Sequence, residues 1–579
     1  GADAPQGSTI QLSACDLDGK IVESEIITTG YTDGKRYNFS NIFTKDNGKR
    51  AVYTVTAGTA ADSQTYKIVV LRRLDLSMIG CYLPSDNDMA KNLISEFDST
   101  GITRDYEVAV GQDTKSVKVT ASAFNDKWYG LTVNGQAVSD SEALEIPLTD
   151  SDTEILFQMK EDGTYQDPAY QTLSYTSTGT YKVTVHKKSK VAVTFKTEPS
   201  DAVVSVYDSR GERVEPSKDA DIYDSLYYGD KYTWNVSKYG YISKRQEFTV
   251  GEESEIKVTL EQQTARQEEI TDNDWSSYQN SETNNGITDR AMPTSKNTIT
   301  QKWATRLDAK GWDAALTPPL ILGGYVYVAS GQFIYKMDKN TGDIIQTSEQ
   351  MSGNMQYAMI PLAYAEGMLF AQIGGGQIQA LSATTLKSLW ISEKLGGQTL
   401  SPITCKNGYI YTGTWNSDTT PGSYFCLSVT DEDPSKGNEI KYCTWKYDHK
   451  GGFYWAGAYA SENYLVFGSD DGAGDAYTSI LYSVNTHTGQ LIDKRTDVIG
   501  DIRSTITYNN GYVYFTTKGG YLYRVAMNAD GTFGAVAVYN LGGAATSTPV
   551  VYKDRIYVGV CGTGGQYNAD GGHHFDVIN

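Results

Sequence analysis

The chain has 579 residues, 43 Tyr, 56 Gly, an aromatic content of 12% and a formal charge of −20. Such a length is expected to divide into several domains rather than bury one core. The acidity argues against nucleic acid and against an anionic membrane surface. The longest uncharged stretch, 531–552, is broken by Gly, Asn, Thr, Ser and Pro549, so no membrane insertion is expected.

Tyr, Val, Ile and Thr suit half-buried pleated surfaces, and Gly supplies turns between them, so the fold class read from composition is all-β. Gly1 before "ADAPQ" reads as an expression scar on a chain whose export signal was trimmed. The expected location is therefore extracellular, secreted or attached to the cell surface.

Residues 1–74 alternate apolar and polar positions, close with "QTYKIVVLRR" (64–73) and are read as a β-sandwich-like domain. Residues 75–187 run a similar course. "RDYEVAVGQDTKSVKVTASAFND" (104–126) supplies two alternating strands, "LTVNGQAV" (131–138) a hairpin with Asn134-Gly135 at its tip, and "GTYKVTVHKK" (179–188) a closing strand. These segments resemble the cadherin-like β-sandwich domains of bacterial surface proteins. Residues 188–261 change character, with short strands between Gly turns. "EPSDAVVSVYD" and "KYGYISKRQEFTV" resemble the PEGA-type module, a small β domain used as a spacer on bacterial exported proteins. Asp201 stands where that module often has Gly. Residues 262–297 are polar, too poor in apolar residues for a core, and read as a linker in which Trp275 and Tyr278 anchor against the next domain.

From 298 to 579 one turn-plus-strand recurs. "GGYVYVAS" (323–330), "EGMLFAQI" (366–373), "NGYIYTGT" (407–414), "ENYLVFGS" (462–469), "NGYVYFTT" (510–517) and "KDRIYVGV" (553–560) are the second strands of six copies. A period near 40–50 residues with four strands per copy signals propeller blades, since one four-stranded sheet cannot bury both faces alone. Six first, second and third strands are followed by only five fourth strands, such as "LKSLWISE" (386–393) and "IKYCTWKYD" (440–448). The missing one is expected ahead of the repeats, at "TQKWATRL" (300–307), whose Trp303 matches Trp390 and Trp445. It would close a six-bladed ring. Six Cys are too few for a disulfide framework in a chain this long. Cys405 and Cys426 sit where other copies place Ile, Val, Tyr or Leu, so they read as buried thiols.

"MDKNTGDII" (337–345), "VNTHTGQLI" (484–492) and "LSATTLKSLW" (381–390) resemble the pyrroloquinoline-quinone-type, quinoprotein-like β-propeller repeat family, and "DWSSYQNSETNNGITD" (274–289) resembles its leader. A quinone dehydrogenase of that family implies adjacent Cys over the cofactor, a Ca²⁺-binding carboxylate and amide set, and usually eight blades. No two Cys are neighbours here and the count is six. The quinone is therefore not expected, and no catalytic residue is carried over.

His573-His574 point to opposite faces of a strand, which makes a poor chelate, and no "HExxH" spacing occurs. Asp470, Asp471 and Asp475 form the best oxygen-rich Gly loop for Ca²⁺, although Asp-Gly is first of all turn chemistry. The loops after fourth and second strands leave a propeller on one side. Here they are long and carry Trp312, Tyr357, Trp415, Tyr454, Trp455, Arg503, Tyr567 and His573, while the opposite turns are short. Aromatics and Arg around a concavity suit sugars, peptides or small ligands; the competing reading is that they plug the channel or pack between blades.

The expected protein is a monomeric, noncatalytic extracellular modular binder. A β-sandwich stalk and spacer would present a propeller face to a glycan, peptide or protein. The alternatives are a propeller-type glycan lyase or hydrolase, a divergent quinoprotein, and a pure protein-assembly scaffold.

Overall fold

The computed structural model describes residues 9–15, 21–28, 50–59, 62–71, 74–84, 91–123, 130–166, 172–219, 221–251, 254–263, 267–307, 315–355, 360–417, 420–470, 478–562 and 572–579. Among these, regular structure is strand apart from single 3-10 turns such as Tyr278–Asn280 and Lys296–Thr298. Among the described residues no helix is long and apolar enough to cross a membrane. The chain divides into two compact units, 1–190 and 191–579.

In the first unit, Ile21–Thr28, Thr9–Cys15, Arg50–Thr59 and Asp62–Leu71 form one antiparallel sheet in that spatial order. Beyond it, Leu144–Pro147, Ser116–Ala123 and Leu76–Tyr82 make a three-stranded sheet. A five-stranded sheet, built on the long pair Thr153–Gln166 and Thr172–Lys188, packs against it. Period-2 alternation decides which side chains meet: Val117, Val119 and Ala121 of one sheet face Ile155, Phe157, Met159, Tyr181, Val183 and Val185 of the other. Asn134 and Gly135 both have positive φ at the hairpin tip, as an Asn-Gly turn requires.

The second unit opens with a small β domain over residues 191–262, whose core is Phe195, Val206, Tyr223 and Trp234. Its contacts with residues 409–489 are buried and specific. The Ser205 hydroxyl donates to the Thr444 carbonyl at 2.7 Å and the Asn235 amide to Cys443 at 2.9 Å, both in buried positions. The Arg213 guanidinium donates to the carbonyls of Lys446, Thr488 and Gly489. Val203 enters the same apolar cluster as Tyr409, Tyr411 and Trp445.

The propeller is built from six consecutive sheets. Their strands, from the inner edge outward, are Leu320–Leu322, Tyr325–Ser330, Phe333–Asp338 and Ile344–Thr347 in sheet 1. Sheet 2 has Ala363–Ala365, Met368–Ile373, Gln377–Ser382 and Ser388–Ser392. Sheet 3 has Thr404–Lys406, Tyr409–Gly413, Gly422–Ser428 and Trp445–His449. Sheet 4 has Tyr459–Ala460, Tyr464–Gly468, Thr478–Asn485 and Leu491–Ile499. Sheet 5 has Thr507–Asn509, Tyr512–Thr516, Tyr521–Met527 and Phe533–Asn540. Sheet 6 has Val550–Tyr552, Arg555–Val560 and His574–Ile578. Sheets 1 to 5 each bury a face on the next through a separate cluster, for example Leu369 and Ile373 against Leu320 and Tyr327, or Val513 and Phe515 against Val466 and Ile502.

Three sequence expectations change. The stretch read as a polar linker instead runs along the inner strands. Asn273–Trp275 adds to Leu320–Leu322 as a further inner strand of sheet 1. Asn284 donates its amide to the carbonyls of Ala458 and Ile506, and Asn285 exchanges two bonds with the backbone of Val551. Asp272, Glu268 and Glu282 meet the short turns at Gly323, Gly367 and Lys406. Its polarity serves these backbone partners.

Second, among the described residues 300–307 belong to no sheet and do not pair with His574–Ile578. Side-chain anchors hold the segment against sheet 1: Trp303 donates its indole N–H to the Lys339 carbonyl at 2.9 Å and Thr305 its hydroxyl to Gly342. Trp445 makes the equivalent contact on sheet 4, donating to the Thr486 carbonyl. Third, the expected fourth strand 440–448 is split. Glu439–Lys441 pairs in parallel with Ser388–Ser392 of sheet 2, and sheet 3 takes only Trp445–His449.

Gly489, at φ +68°, lies under Trp445, and a Cβ there would stand 2.5 Å from the indole. Gly489→Ala should destabilise the propeller by about 2 kcal/mol or more, read as a drop in its thermal transition. Asn284→Asp sets a carboxylate against two buried carbonyls and should cost about 3 kcal/mol, whereas Glu282→Gln at the exposed end of the same segment should cost little in the same measurement.

Candidate binding face

The loops that follow fourth strands close on the residues that follow second strands of the same sheet and of the next, which puts both sets on one side. Gln398 and Trp415 exchange backbone hydrogen bonds at 2.8 and 2.9 Å. The Phe453 N–H donates to Thr414, Asp470 to Gly452, Ile502 to Ser469 and Cys561 to Ala544. This lacing fixes the backbone from which the aromatic side chains rise.

On this face, sheets 3 to 5 bring together Trp415, Tyr454, Trp455 and Arg503. Tyr454 and Trp455 stack at 4.6 Å and 23° between ring planes, and Trp415 leans on Tyr454 at 4.8 Å and 44°. The Arg503 guanidinium lies 4.8 Å from the centre of the Tyr454 ring. All three rings are half-buried. Trp455 has φ +61°, a left-handed backbone that a bulky side chain rarely adopts. The indole N–H groups of Trp415 and Trp455 and the side-chain oxygen of Gln398 are buried without a hydrogen-bond partner.

Beneath the rings sits a charge network. Arg503 is 6% exposed and Asp470 1%. Arg503 donates to both Asp470 carboxylate oxygens, at 3.2 and 2.7 Å, and pairs with Asp501 at 3.3 Å, which also takes Lys518 at 3.3 Å. Burial pushes the Asp470 carboxyl up to about 8 against the pull of Arg503. The two-pronged contact is nonetheless the geometry of an ionised pair. His449 stands behind Asp470. Its Nε2–H donates to the Asp470 carbonyl at 3.1 Å, and its Nδ1 shares a hydrogen bond with the Tyr482 hydroxyl at 2.8 Å. Burial lowers it from 6.5 to about 4.

Four of the eight residues expected to line the face therefore cluster, and one changes role. Arg503 does not present a fork to a ligand carboxylate, because Asp470 and Asp501 already occupy it. His573 lies exposed before the last strand, away from the cluster in sequence and sheet, and its neighbour His574 donates into the Leu541 carbonyl region rather than to a metal. Trp312, Tyr357 and Tyr567 lie outside the described residues, as do Asp471 and Asp475. Of the three carboxylates considered for Ca²⁺, Asp470 is turned to Arg503. Among the described residues no group of three or more His, Cys, Asp or Glu could hold a metal. Cys81, Cys405, Cys426, Cys443 and Cys561 are free thiols. Sequence reading missed Gln398 and His449. Gln398 closes the sheet 2–3 loop on Trp415 as Gly452 closes the next on Asp470.

A family model described as a cadherin-like beta sandwich domain matches residues 84–188. No curated protein matches the chain. Among solved structures, the chain is similar to BamB from Moraxella catarrhalis, with 18% identity over 45% of this chain and 71% of that one, at a TM-score of 0.33. It is also similar to the quinohemoprotein alcohol dehydrogenase ADHIIG from Pseudomonas putida HK5, with 13% identity over 49% and 56% and a TM-score of 0.37. A europium-containing methanol dehydrogenase shares 12% identity over 52% and 73%, at 0.36. None of these similarities carries an activity across to this chain.

His449 generates a pH prediction. The unfolded chain takes up its proton below about 6.5, whereas the folded site resists it down to about 4. The fold therefore loses stability as pH falls through that window, by about 3 kcal/mol in all. Urea midpoints measured at steps from pH 7 to 4 should fall more steeply for the native chain than for His449→Gln. Equal slopes would mean that the ring takes its proton in the folded state as readily as in water.

Proposed function

We propose that the protein is a noncatalytic, extracellular modular binder whose propeller contacts its ligand, a glycan, peptide or protein, through the face around Trp415, Tyr454 and Trp455. The cadherin-like sandwich serves as a stalk, the 191–262 domain as a PEGA-type module, and the six sheets act as six blades of one ring. The observation that carries the reading is Trp455: a large aromatic held half-exposed in a strained backbone conformation, in a stack that two loops of sheet 3 converge to build. Strain of that kind, about 1–3 kcal/mol, persists where surrounding structure imposes it, and clusters at ligand-contacting sites.

Two further observations favour binding over catalysis. Among the described residues, the carboxylates paired with the arginine that touches the rings, Asp470 and Asp501, are buried and engaged by Arg503 and Lys518, so neither is free to exchange a proton with a substrate. The opposite side is covered by the chain itself at several turns: Tyr239 donates to Glu366 and meets Tyr409, and the 267–285 segment reaches Gly323, Gly367 and Lys406.

The test pairs binding with turnover. Fluorescence titration of the full chain against oligosaccharides, peptides and candidate surface proteins is run beside an assay for released reducing ends. Saturable binding without reducing-end release is expected, with Trp455→Ala losing about 2 kcal/mol or more of binding while its thermal transition stays within a few degrees. Turnover of any bound oligosaccharide overturns the noncatalytic reading. Collapse of the propeller on Trp455→Ala assigns the ring to packing instead.

A further inference from the structure

Resting on that reading, we infer that the ligand at the Trp415–Tyr454–Trp455 platform is an uncharged carbohydrate, recognised through the apolar face of a sugar ring and its hydroxyl groups. Three features of the site lead there.

The first is charge. The cation touching the rings, Arg503, is buried and shared between Asp470 and Asp501, while Lys518 takes a second contact on Asp501. Two positive and two negative groups cancel within this network, so it directs no net charge at a ligand. An anionic ligand would need a donor fork that is already spent. A cationic one would meet no unpaired carboxylate in the network.

The second is shape. Arg503, Trp455 and Trp415 all lie against Tyr454, with Trp455 stacked on it at 23° and Trp415 leaning on the same ring at 44°. A broad ring meeting a second at an angle makes a step that accepts a flat, partly apolar body along one side and its edge along the other. The C–H face of a pyranose has that form, and aromatic side chains offer apolar area with a polar tip beside it.

The third is hydrogen bonding. The Trp415 and Trp455 N–H groups lack acceptors, and the Gln398 side-chain oxygen lacks a donor. Leaving such groups unpaired costs about 1–3 kcal/mol each. A hydroxyl donates and accepts from a single atom, so a polyol can serve both kinds of group without carrying charge. A carboxylate only accepts, and an ammonium only donates.

The experiment uses the full chain in calorimetric and tryptophan-fluorescence titrations. The probes are cellohexaose, xylohexaose, mannohexaose, maltohexaose and chitohexaose, the acidic hexagalacturonate, and neutral, acidic and basic hexapeptides. At least one neutral hexaose should bind saturably, with little dependence on salt between low and physiological ionic strength. Trp455→Ala should weaken that binding about 30-fold or more. Trp455→Phe, which keeps a ring but no N–H, should fall between, and circular dichroism should show both variants folded. Gln398→Glu, which removes nothing apolar, should also weaken binding of the neutral sugar. If hexagalacturonate or a peptide binds with Trp455 dependence and no neutral hexaose does, the carbohydrate class is wrong while the binding face stands. If no probe of any class binds in a Trp455-dependent way, the carbohydrate proposal and the binding reading fail together.

Discussion

The inner edges of the propeller sheets set a constraint that the rest of unit 2 has to meet. Their first strands are two or three residues long, and the backbone groups on their inner side have no further strand of their own repeat to pair with. Buried and unpaired, such groups are costly. The 272–285 segment supplies the partners: a short strand for sheet 1, the Asn284 amide for the carbonyls of Ala458 and Ile506, the Thr283 carbonyl for the Tyr508 N–H, and the Asn285 amide for Val551. Asn suits this work because one side chain both donates and accepts. A stretch with no core of its own thus becomes the element on which sheets 1, 4, 5 and 6 converge.

The same economy shapes the aromatic face. Inter-sheet backbone bonds position the loops, and a buried ion network supports the rings from below. Arg503 could not sit there alone, since an unpaired buried guanidinium is far more costly than one held by two carboxylates. Having been paired, it is no longer available to a ligand. Its contribution is to lie against the Tyr454 ring on which Trp455 stacks. His449, kept neutral by burial, completes the back wall and fixes the Asp470 carbonyl.

The domain at 191–262 is joined to the propeller by more than its covalent link. Ser205 and Asn235 are fully buried, and both bond backbone carbonyls of the 443–444 segment. That segment is where the expected long strand of sheet 3 breaks. At the break the carbonyls of 443 and 444 accept from Asn235 and Ser205, and the Cys443 N–H is taken by Glu393. A sequence that reads as a spacer thereby builds a fixed shoulder on sheets 3 and 4.

The sequence by itself determined whatever depends on local chemistry repeated along the chain. Alternation of apolar residues placed the sandwich strands, Asn134-Gly135 placed a hairpin tip, and the recurring turn-plus-strand placed six sheets and the side on which the long loops emerge. It also picked out Trp415, Tyr454 and Trp455 as residues of one face. Only the tertiary structure decided how polar groups distant in sequence pair. Arg503 finds Asp470 33 residues away, and Asn284 finds Ile506 across 222. Ser205 finds Thr444 across 239 residues. Periodicity reports which side of a strand is buried, because burial repeats with the pleat. It carries no record of which carbonyl an isolated Asn, Ser or Arg will meet, since that partner is chosen by packing in three dimensions. The linker that became an inner strand and the arginine that became a buried support were for that reason beyond its reach.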